Sequence, residues 1–369
     1  MSETDRVLDA LPEWSLCIAT LNRQDALLQT LSCALDQTCP PAEIIVVDVS
    51  DDWQDSEAKA RNLVAGQSMA LHYQTLDVRS ITVQRNVGIA RCSKDVIFLI
   101  DDDSFMFPDC AEEILQIYAA DPDHAVSAVA ATLVPELPQQ ATEQLMPERF
   151  HTAHAGNVAR GSLRGLLLNS SFGQWFTRKI LFQSKDEIFI KYEGPRDTPV
   201  PETIATRFDV VPVAFMPGSA MTVRRDVVIA EPFDTALRYY AASEDIDATY
   251  RFGRHGRVLQ ANKARLHHYK AAGGRIRRRA VMALQLLNMA IFIKRNAADP
   301  DQFRGAYRQN LHRRLLSEFL KDLLSGRFRF PQLRGVLEAN RQWHHVWARD
   351  IEELEVWYPE LQRRILDEG

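Results

Sequence analysis

Apolar and polar positions alternate in blocks over the first third of the chain. The runs WSLCIAT (14–20), EIIVVD (43–48) and VIFLI (96–100) have strand length and nearly unbroken apolar character, and ALHYQ (70–74) reads as a shorter strand. Between them, residues 25–35, 55–64 and 82–92 carry helical spacing. Asp25 is the expected N-cap of the first helix, and Ser80 or Thr82 opens the third. Pro40-Pro41 and Gly66 punctuate the series. Strands alternating with helices at this interval predict βαβ units and a mostly parallel sheet.

Further on, a helix is expected from Pro108 to about Ala120 and a strand over 125–134. From about 135 to 211 the periodicity fades among prolines, which predicts an insertion with a few short elements, a flap over the site. Order returns at 216–223. Residues 244–254 read as a helix stopped by Gly256, and VLQANKARL reads as extended. After Arg275 the chain reads as helical throughout. The expected domains are therefore 1–275, with the insertion inside it, and a helical region 276–369. Val281–Ile293 is apolar nearly all round but too short to span a bilayer, so a buried helix is expected. Leu311, Leu315, Leu316, Phe319, Leu320, Leu323 and Leu324 share one helical face, a stripe that suits core or oligomer contact, such as a homodimer, more often than a membrane anchor, although the flanking bases keep the second idea open.

The net charge of −5 hides an asymmetry, because residues 275–334 hold 14 Lys and Arg against 4 Asp and Glu. A basic zone this local is either a solvated helix face or the partner of an anionic neighbour, a peripheral membrane contact among them. Nothing in the sequence points to nucleic acid. Five cysteines, an odd number without CxxC pairing, argue against a disulfide framework and a zinc knuckle. The acidic first thirteen residues do not read as a signal peptide, so the expected location is cytoplasmic, or peripheral on the inner face of the membrane.

The chemistry concentrates at predicted strand ends. Asp101, Asp102 and Asp103 follow the strand 96–100 at once, and adjacent carboxylates sit where a cation or sugar hydroxyl relieves their repulsion. The first strand ends in Ala19-Thr20-Leu21-Asn22-Arg23 and the second in Asp48, groups suited to a base or ribose. Arg85, sixteen residues before Asp101, offers a fork for phosphate oxygens, with Gly88 allowing close packing. Glu244 and Asp245 lie near a helix start, where they suit the helix dipole or proton abstraction from a hydroxyl. His267-His268 could complete a metal shell. Trp175, Phe176, Tyr239 and Tyr240 are candidate sugar-stacking rings.

In order, SLCIATLNR, EIIVVDVSDD, RNVGIA, FLIDDDS, PGSAMTVRRDV, FDTALRYYAASEDIDATYRFGRHG and ARLHHYKAAGGR resemble the motifs of family 2 glycosyltransferases over roughly residues 14–275. The resemblance implies an α/β fold of GT-A type, a Rossmann-like nucleotide-diphospho-sugar transferase sheet, with a helical C-terminal extension. It implies a nucleotide-diphosphate sugar donor, Mn²⁺ or Mg²⁺, and inversion by direct displacement. On that pattern Asp48 contacts the nucleoside with Ala19, Thr20 and Asn22 beside it, and Arg85 lies near the diphosphate. Asp101 and Asp102 lie at the donor, and Asp103 and Asp101 at the metal with His268 or its competitor His267. Asp245 is the general base and Glu244 orients acceptor or base. Val49-Ser50-Asp51 replaces the usual Asp-Gly-Ser turn, and the Q-x-x-R-W motif of processive polymerases is missing, which favours a single addition. The acceptor would be a saccharide or lipid-linked, in cell-surface polysaccharide or glycoconjugate synthesis. Two alternatives stand beside this reading. A nucleotide-sugar nucleotidyltransferase would want a Gly-rich phosphate loop and a lysine that LNRQDALLQT lacks, and a non-catalytic scaffold would bind sugar or nucleotide without turnover.

Overall fold

A computed structural model describes residues 11–139, 141, 199–239, 241–271 and 276–367. They divide into two units, one of 11–139, 141, 199–235 and 244–271, the other of 236–239, 241–243 and 276–367.

The first unit is built on a nine-stranded sheet. In chain order it comprises β1 (Trp14–Thr20), α1 (Gln24–Leu35), β2 (Glu43–Asp48), α2 (Trp53–Val64), β3 (Ala70–Thr75), α3 (Ile81–Ile89), β4 (Val96–Leu99), β5 (Ser104–Met106), α4 (Cys110–Ala119) and β6 (Val126–Leu133). Then come α5 (Glu202–Ala205), β7 (Val210–Pro212), a 3₁₀ turn over Gly218–Ala220, β8 (Met221–Arg224), α6 (Arg225–Ala230), α7 (Glu244–Phe252) and β9 (Arg257–His268). The strand order is β3-β2-β1-β4-β8-β6-β9-β5, with β7 beside β9. Strands β3, β2, β1 and β4 are parallel, β8 runs against them, and β6 and β9 return to their direction. The α/β class and mostly parallel strands expected from the blocks are what the chain forms. The short strands β5, β7 and β8 are the antiparallel additions.

Strand alternation sorts the core onto two faces. Leu16, Ile18, Ile44 and Val46 pack with Leu27 and Leu31 of α1 and Ile114 of α4. Cys17, Ile45 and Val47 pack on the opposite face with Ile89, Val227 and Phe252. Gly88 lets α3 sit directly on β1, since a Cβ there would lie 2.5 Å from Cys17 Sγ. The helix α1 is not capped by Asp25 as expected; Arg23 holds the N-cap position and Asp25 lies in the first turn. Two short elements, α5 and β7, fall in the described part of the 135–211 insertion.

The described part of the second unit holds four helices, α8 (Arg278–Asn296), α9 (Asp301–Leu324), α10 (Pro331–Ala348) and α11 (Ile351–Asp367), and the chain at 236–243 apart from residue 240. Helix α8 is buried along most of its length, as its apolar run predicts, and no helix among the described residues is long and apolar enough to cross a membrane. Gly335 of α10 brings that helix against α8, where a Cβ would meet Arg279 O at 2.4 Å. The leucine stripe of α9 behaves otherwise than expected of a core face. Leu311 is buried, but Leu316, Phe319, Leu323 and Leu324 are exposed, while Ser317, Glu318 and Asp322 point inward. Side chains of α8 and α11 grip the segment 236–243. Asn288 Nδ2 donates to Ala242 O at 2.8 Å, Tyr358 OH donates to Asn288 Oδ1, and Gln362 Oε1 accepts from Arg238 N at 3.1 Å. Arg363 donates to Tyr239 OH at 2.6 Å.

Candidate active site

Register gathers the polar strand ends. Thr20 pairs with Asp48 across β1 and β2, and Cys17 with Leu99 across β1 and β4, so the residues following β4 come level with Ala19 and Thr20. Strand β9 meets β5 with His268 opposite Ser104, which brings that histidine to the end of the acidic run. The site therefore lies at the carboxyl ends of parallel strands, the expected place for a ligand in an open α/β sheet.

The three aspartates have different surroundings. Asp102 is buried; Thr20 Oγ1 donates to its Oδ2 at 2.7 Å, and Arg23 Nη1 reaches its Oδ1 at 3.1 Å. Burial pushes its carboxyl up to about 7, against the pull of the Arg23 charge and with help from Asp103. Asp103 accepts Ala271 N on Oδ2 at 2.8 Å and faces Arg23 Nη1 at 3.4 Å. Burial alone would raise it too, but contact with His268 and the Arg23 charge hold it below the usual carboxylate range. Asp101 remains partly exposed and accepts Arg85 Nη2 at 2.9 Å.

Asp101, Asp103 and His268 each offer one ligand atom, all within 4.8 Å of one another. His268 Nε2 stands 3.2 Å from Asp103 Oδ1 and 3.8 Å from Asp101 Oδ2. The shorter contact has ion-pair length without hydrogen-bond alignment, and buried Asp103 Oδ1 has no hydrogen-bond partner. Burial would lower the His268 pKa, yet Asp103 and Asp101 raise it overall. Two carboxylates and an imidazole converging around an unsatisfied oxygen fit a divalent cation such as Mn²⁺ or Mg²⁺. His267 is on the other face of β9, its Nδ1 3.1 Å from Val134 O and its ring stacked on Phe105, so of the two histidines it is His268 that stands beside Asp101 and Asp103.

Arg85 connects this group to the acid pair of α7. It is almost wholly buried, with Nη2 donating to Asp101 Oδ1 and to Gly218 O at 3.0 Å, and Nη1 to Glu244 Oε1 at 3.3 Å. Its guanidinium also lies over the Phe233 ring, 5.1 Å from the centroid. Gly218 leaves space for it, since a Cβ there would stand 3.1 Å from Nη2 and 3.4 Å from Glu244 Oε1. Burial first and the neighbouring Asp245 second raise the Glu244 carboxyl to about 8, with Arg85 opposing. Asp245 Oδ2 accepts Gly218 N at 3.4 Å and its Oδ1 accepts Ile246 N at 2.9 Å. Ser243, just ahead, adopts φ +73°, in the left-handed region.

At the other end of the site, Asn22 has φ +53° and clasps the loop after β2 by donating from Nδ2 to Asp51 Oδ2 at 3.0 Å and accepting Asp51 N at 2.9 Å. Asp48 is fully buried. Its oxygens are taken by Ser50 N at 2.7 Å and Tyr73 OH at 2.5 Å. Gln84 ties Thr20 O and Val47 O together at 3.0 and 2.9 Å. Tyr73, Gln84, Gly218 and Phe233 are parts of this arrangement that residue-type reasoning does not assign, and it groups Arg23 with the base- or ribose-contacting strand end rather than with Asp102 and Asp103. Gly218 and Phe233 carry a signal, inside the segments PGSAM and FDTALRYY. Of the candidate stacking rings, Trp175, Phe176 and Tyr240 lie outside the described residues.

Residues 15–167 match the model of the glycosyl transferase family 2. Over 136 residues, 37% of this chain, the sequence is 27% identical to a glucosyl-dolichyl phosphate glucuronosyltransferase of Haloferax volcanii, and the match spans 42% of that relative's length. Among solved structures, the mannosyltransferase PcManGT of Pyrobaculum calidifontis, in complex with GDP-Man and Mn²⁺, superposes with a TM-score of 0.50 at 12% identity, covering 94% of this chain and 93% of that one. S. aureus TarS 1–349 in complex with UDP-GlcNAc gives a TM-score of 0.49 at 14% identity, covering 96% and 88%. The sheet has the GT-A fold, and residues 15–167 are similar to the glycosyl transferase family 2.

Proposed function

We propose that the protein moves one sugar from a nucleotide-diphosphate donor to a hydroxyl of a saccharide or lipid-linked acceptor, with inversion and with a divalent cation, in the assembly of a cell-surface polysaccharide or glycoconjugate. The observation that carries this reading is the buried Arg85, whose one guanidinium touches both Asp101 of the cation-binding group and Glu244 of the acid pair. Asp101, Asp103 and His268 would hold Mn²⁺ or Mg²⁺, which supplies positive charge to the donor diphosphate. Arg85 adds a fixed positive charge at the same place. Asp245 accepts the proton of the acceptor hydroxyl as its oxygen bonds to the anomeric carbon and the bond from that carbon to the diphosphate oxygen breaks. The diphosphate leaves as an anion, and no covalent enzyme intermediate is needed. Glu244, whose carboxyl burial and the neighbouring Asp245 raise to about 8, orients the acceptor or the base.

At the nucleoside end, Asp48 acts through the turn it fixes at Ser50, and Ala19, Thr20 and Asn22 line that end of the site. Asp102 supports the donor site indirectly, by holding Thr20 and Arg23. The test is a calorimetric titration with UDP, GDP, dTDP and CDP, with and without Mn²⁺, on wild type, Asp103→Ala and Asp245→Asn. One nucleotide should bind in a metal-dependent way, Asp103→Ala should lose that dependence, and Asp245→Asn should keep affinity while losing turnover. Binding of none of the four would sink the reading.

A further inference from the structure

Helix α9 is inside out over its second half. Leu316, Phe319, Leu323 and Leu324 recur at the spacing of one helical face, and that face is turned to solvent, Leu324 being 57% exposed. Glu318 and Asp322, which by residue type belong outside, are 0% exposed. Their charges are consumed internally. Glu318 Oε1 takes Arg314 Nη1 at 2.9 Å and Lys321 Nζ at 2.7 Å, and Asp322 Oδ2 accepts Gln332 N and Leu333 N at the start of α10 at 2.8 and 3.1 Å. The turn after α9 extends the apolar face. Phe330 stacks on Phe319 with ring centroids 5.3 Å apart, and Phe328 is 73% exposed.

The exposed charge along residues 302–337 has one sign. Glu318 and Asp322 are the only carboxylates between residues 302 and 337, so neither contributes to the surface. Arg304, Arg308, Arg313, Arg329 and Arg334 are all exposed. Exposed leucine and phenylalanine in a stretch that carries exposed arginines and whose two carboxylates are buried is the pattern of a helix lying in a membrane interface, where apolar side chains enter the acyl boundary and cations meet lipid phosphates. A second copy of the chain would bring the same positive field to the same face, and like charge opposes that pairing.

We infer that the face made by Leu316, Phe319, Leu323, Leu324 and Phe328, with the arginines around it, docks on an anionic lipid surface. The inference is independent of the proposed reaction. It does not use the strand-end site, and it stands whether or not the domain turns over a sugar donor.

The experiment is flotation of the full-length protein with vesicles of phosphatidylcholine alone and of three parts phosphatidylcholine to one part phosphatidylglycerol, at low and high salt. Wild type should float with the anionic vesicles and much less with the neutral ones. The triple variant Leu316→Gln, Leu324→Gln, Phe328→Gln should bind the anionic vesicles at least about tenfold more weakly, because these side chains supply the buried apolar area. Arg313→Ala and Arg329→Ala should each weaken binding about fivefold at low salt, and far less at high salt. All five positions are solvent-facing, and unchanged circular dichroism and melting temperature would show that the variants fold. Absence of vesicle binding, or binding that the triple variant leaves intact, would overturn the inference. So would a wild-type dimer in analytical ultracentrifugation that the triple variant splits while vesicles are ignored, since the face would then belong to a second copy.

Discussion

Arg85 is the side chain on which the strand-end site turns. It has five donors in a fixed fork, and the structure spends them on Asp101, Gly218 O and Glu244 at once. Lysine offers a single charge centre and cannot span that set. Arg85→Lys should lower kcat/KM by about a hundredfold to a thousandfold in a donor-saturated assay, the range for losing a preorganised charge, while circular dichroism stays native. Glu244 makes a second prediction through pH. Its carboxyl, raised to about 8 in the folded chain, ionises near pH 4 in an unfolded one. The unfolded state therefore releases the proton first, and the residue withdraws stability progressively from about pH 4 until pH 8 is passed. Thermal melts of Glu244→Gln should match wild type near pH 4 and lie above it at pH 8. An equal offset at both values would mean that the carboxyl is ionised throughout. Arg85 and the aspartates could be nominated by residue type and spacing alone. Tyr73 and Phe233 could not, because what they do depends on which strand or loop lies beside them in space.

At the scale of elements, the sequence was most legible where apolar runs were long and bounded. Strands β1 and β2 coincide with the blocks WSLCIAT and EIIVVD to the residue, since two-sided burial leaves little freedom at their ends. The first helix start was misplaced because Asp25 has the right residue type, while Arg23 occupies the cap position without any side-chain cap bond. The stripe of α9 left core and surface contact open for a deeper reason: periodicity tells that residues share a face, never which way the face points. Two further outcomes belong to this scale. Gly88→Ala should destabilise by about 1–3 kcal/mol through overpacking of α3 on β1, and Cys17→Ala in the same chain should recover part of it, as urea unfolding would show. Glu43 ties β1 and β2 to the turn before β4 by accepting Ser15 Oγ at 2.6 Å and Ser93 N at 2.5 Å. Burial would raise its pKa, but these bonds lower it, so its contribution is present above about pH 4.3 and fades as pH falls through the folded value. Glu43→Gln should therefore be less stable than wild type at pH 7, with the gap closing in acid melts.

On the scale of the whole molecule, the catalytic motifs and the C-terminal helices are interleaved in sequence, because residues 236–243 cluster with 276–369 while Glu244 opens an element of the other unit. A reading by blocks along the chain cuts at 275. The hydrogen bonds from Asn288, Gln362 and Arg363 argue that the cut is not clean. Asn288→Ala removes the partner of Ala242 O and the bond from Tyr358 OH, and should cost about 1–3 kcal/mol in denaturant unfolding.

That strap has a consequence for how the protein tolerates being shortened or spliced. A chain ending at 275 would keep every proposed cation ligand and the acid pair, yet the eight residues immediately ahead of Glu244 would face water with Tyr239 and Ser243 still asked to hold positive φ, at 58° and 73°. Nothing local favours those angles in residues other than glycine, asparagine or aspartate. The helices thus act as a jig for a stretch of backbone with two positive-φ residues, and a splice that exchanges the C-terminal region should carry residues 236–243 along as part of the same cassette.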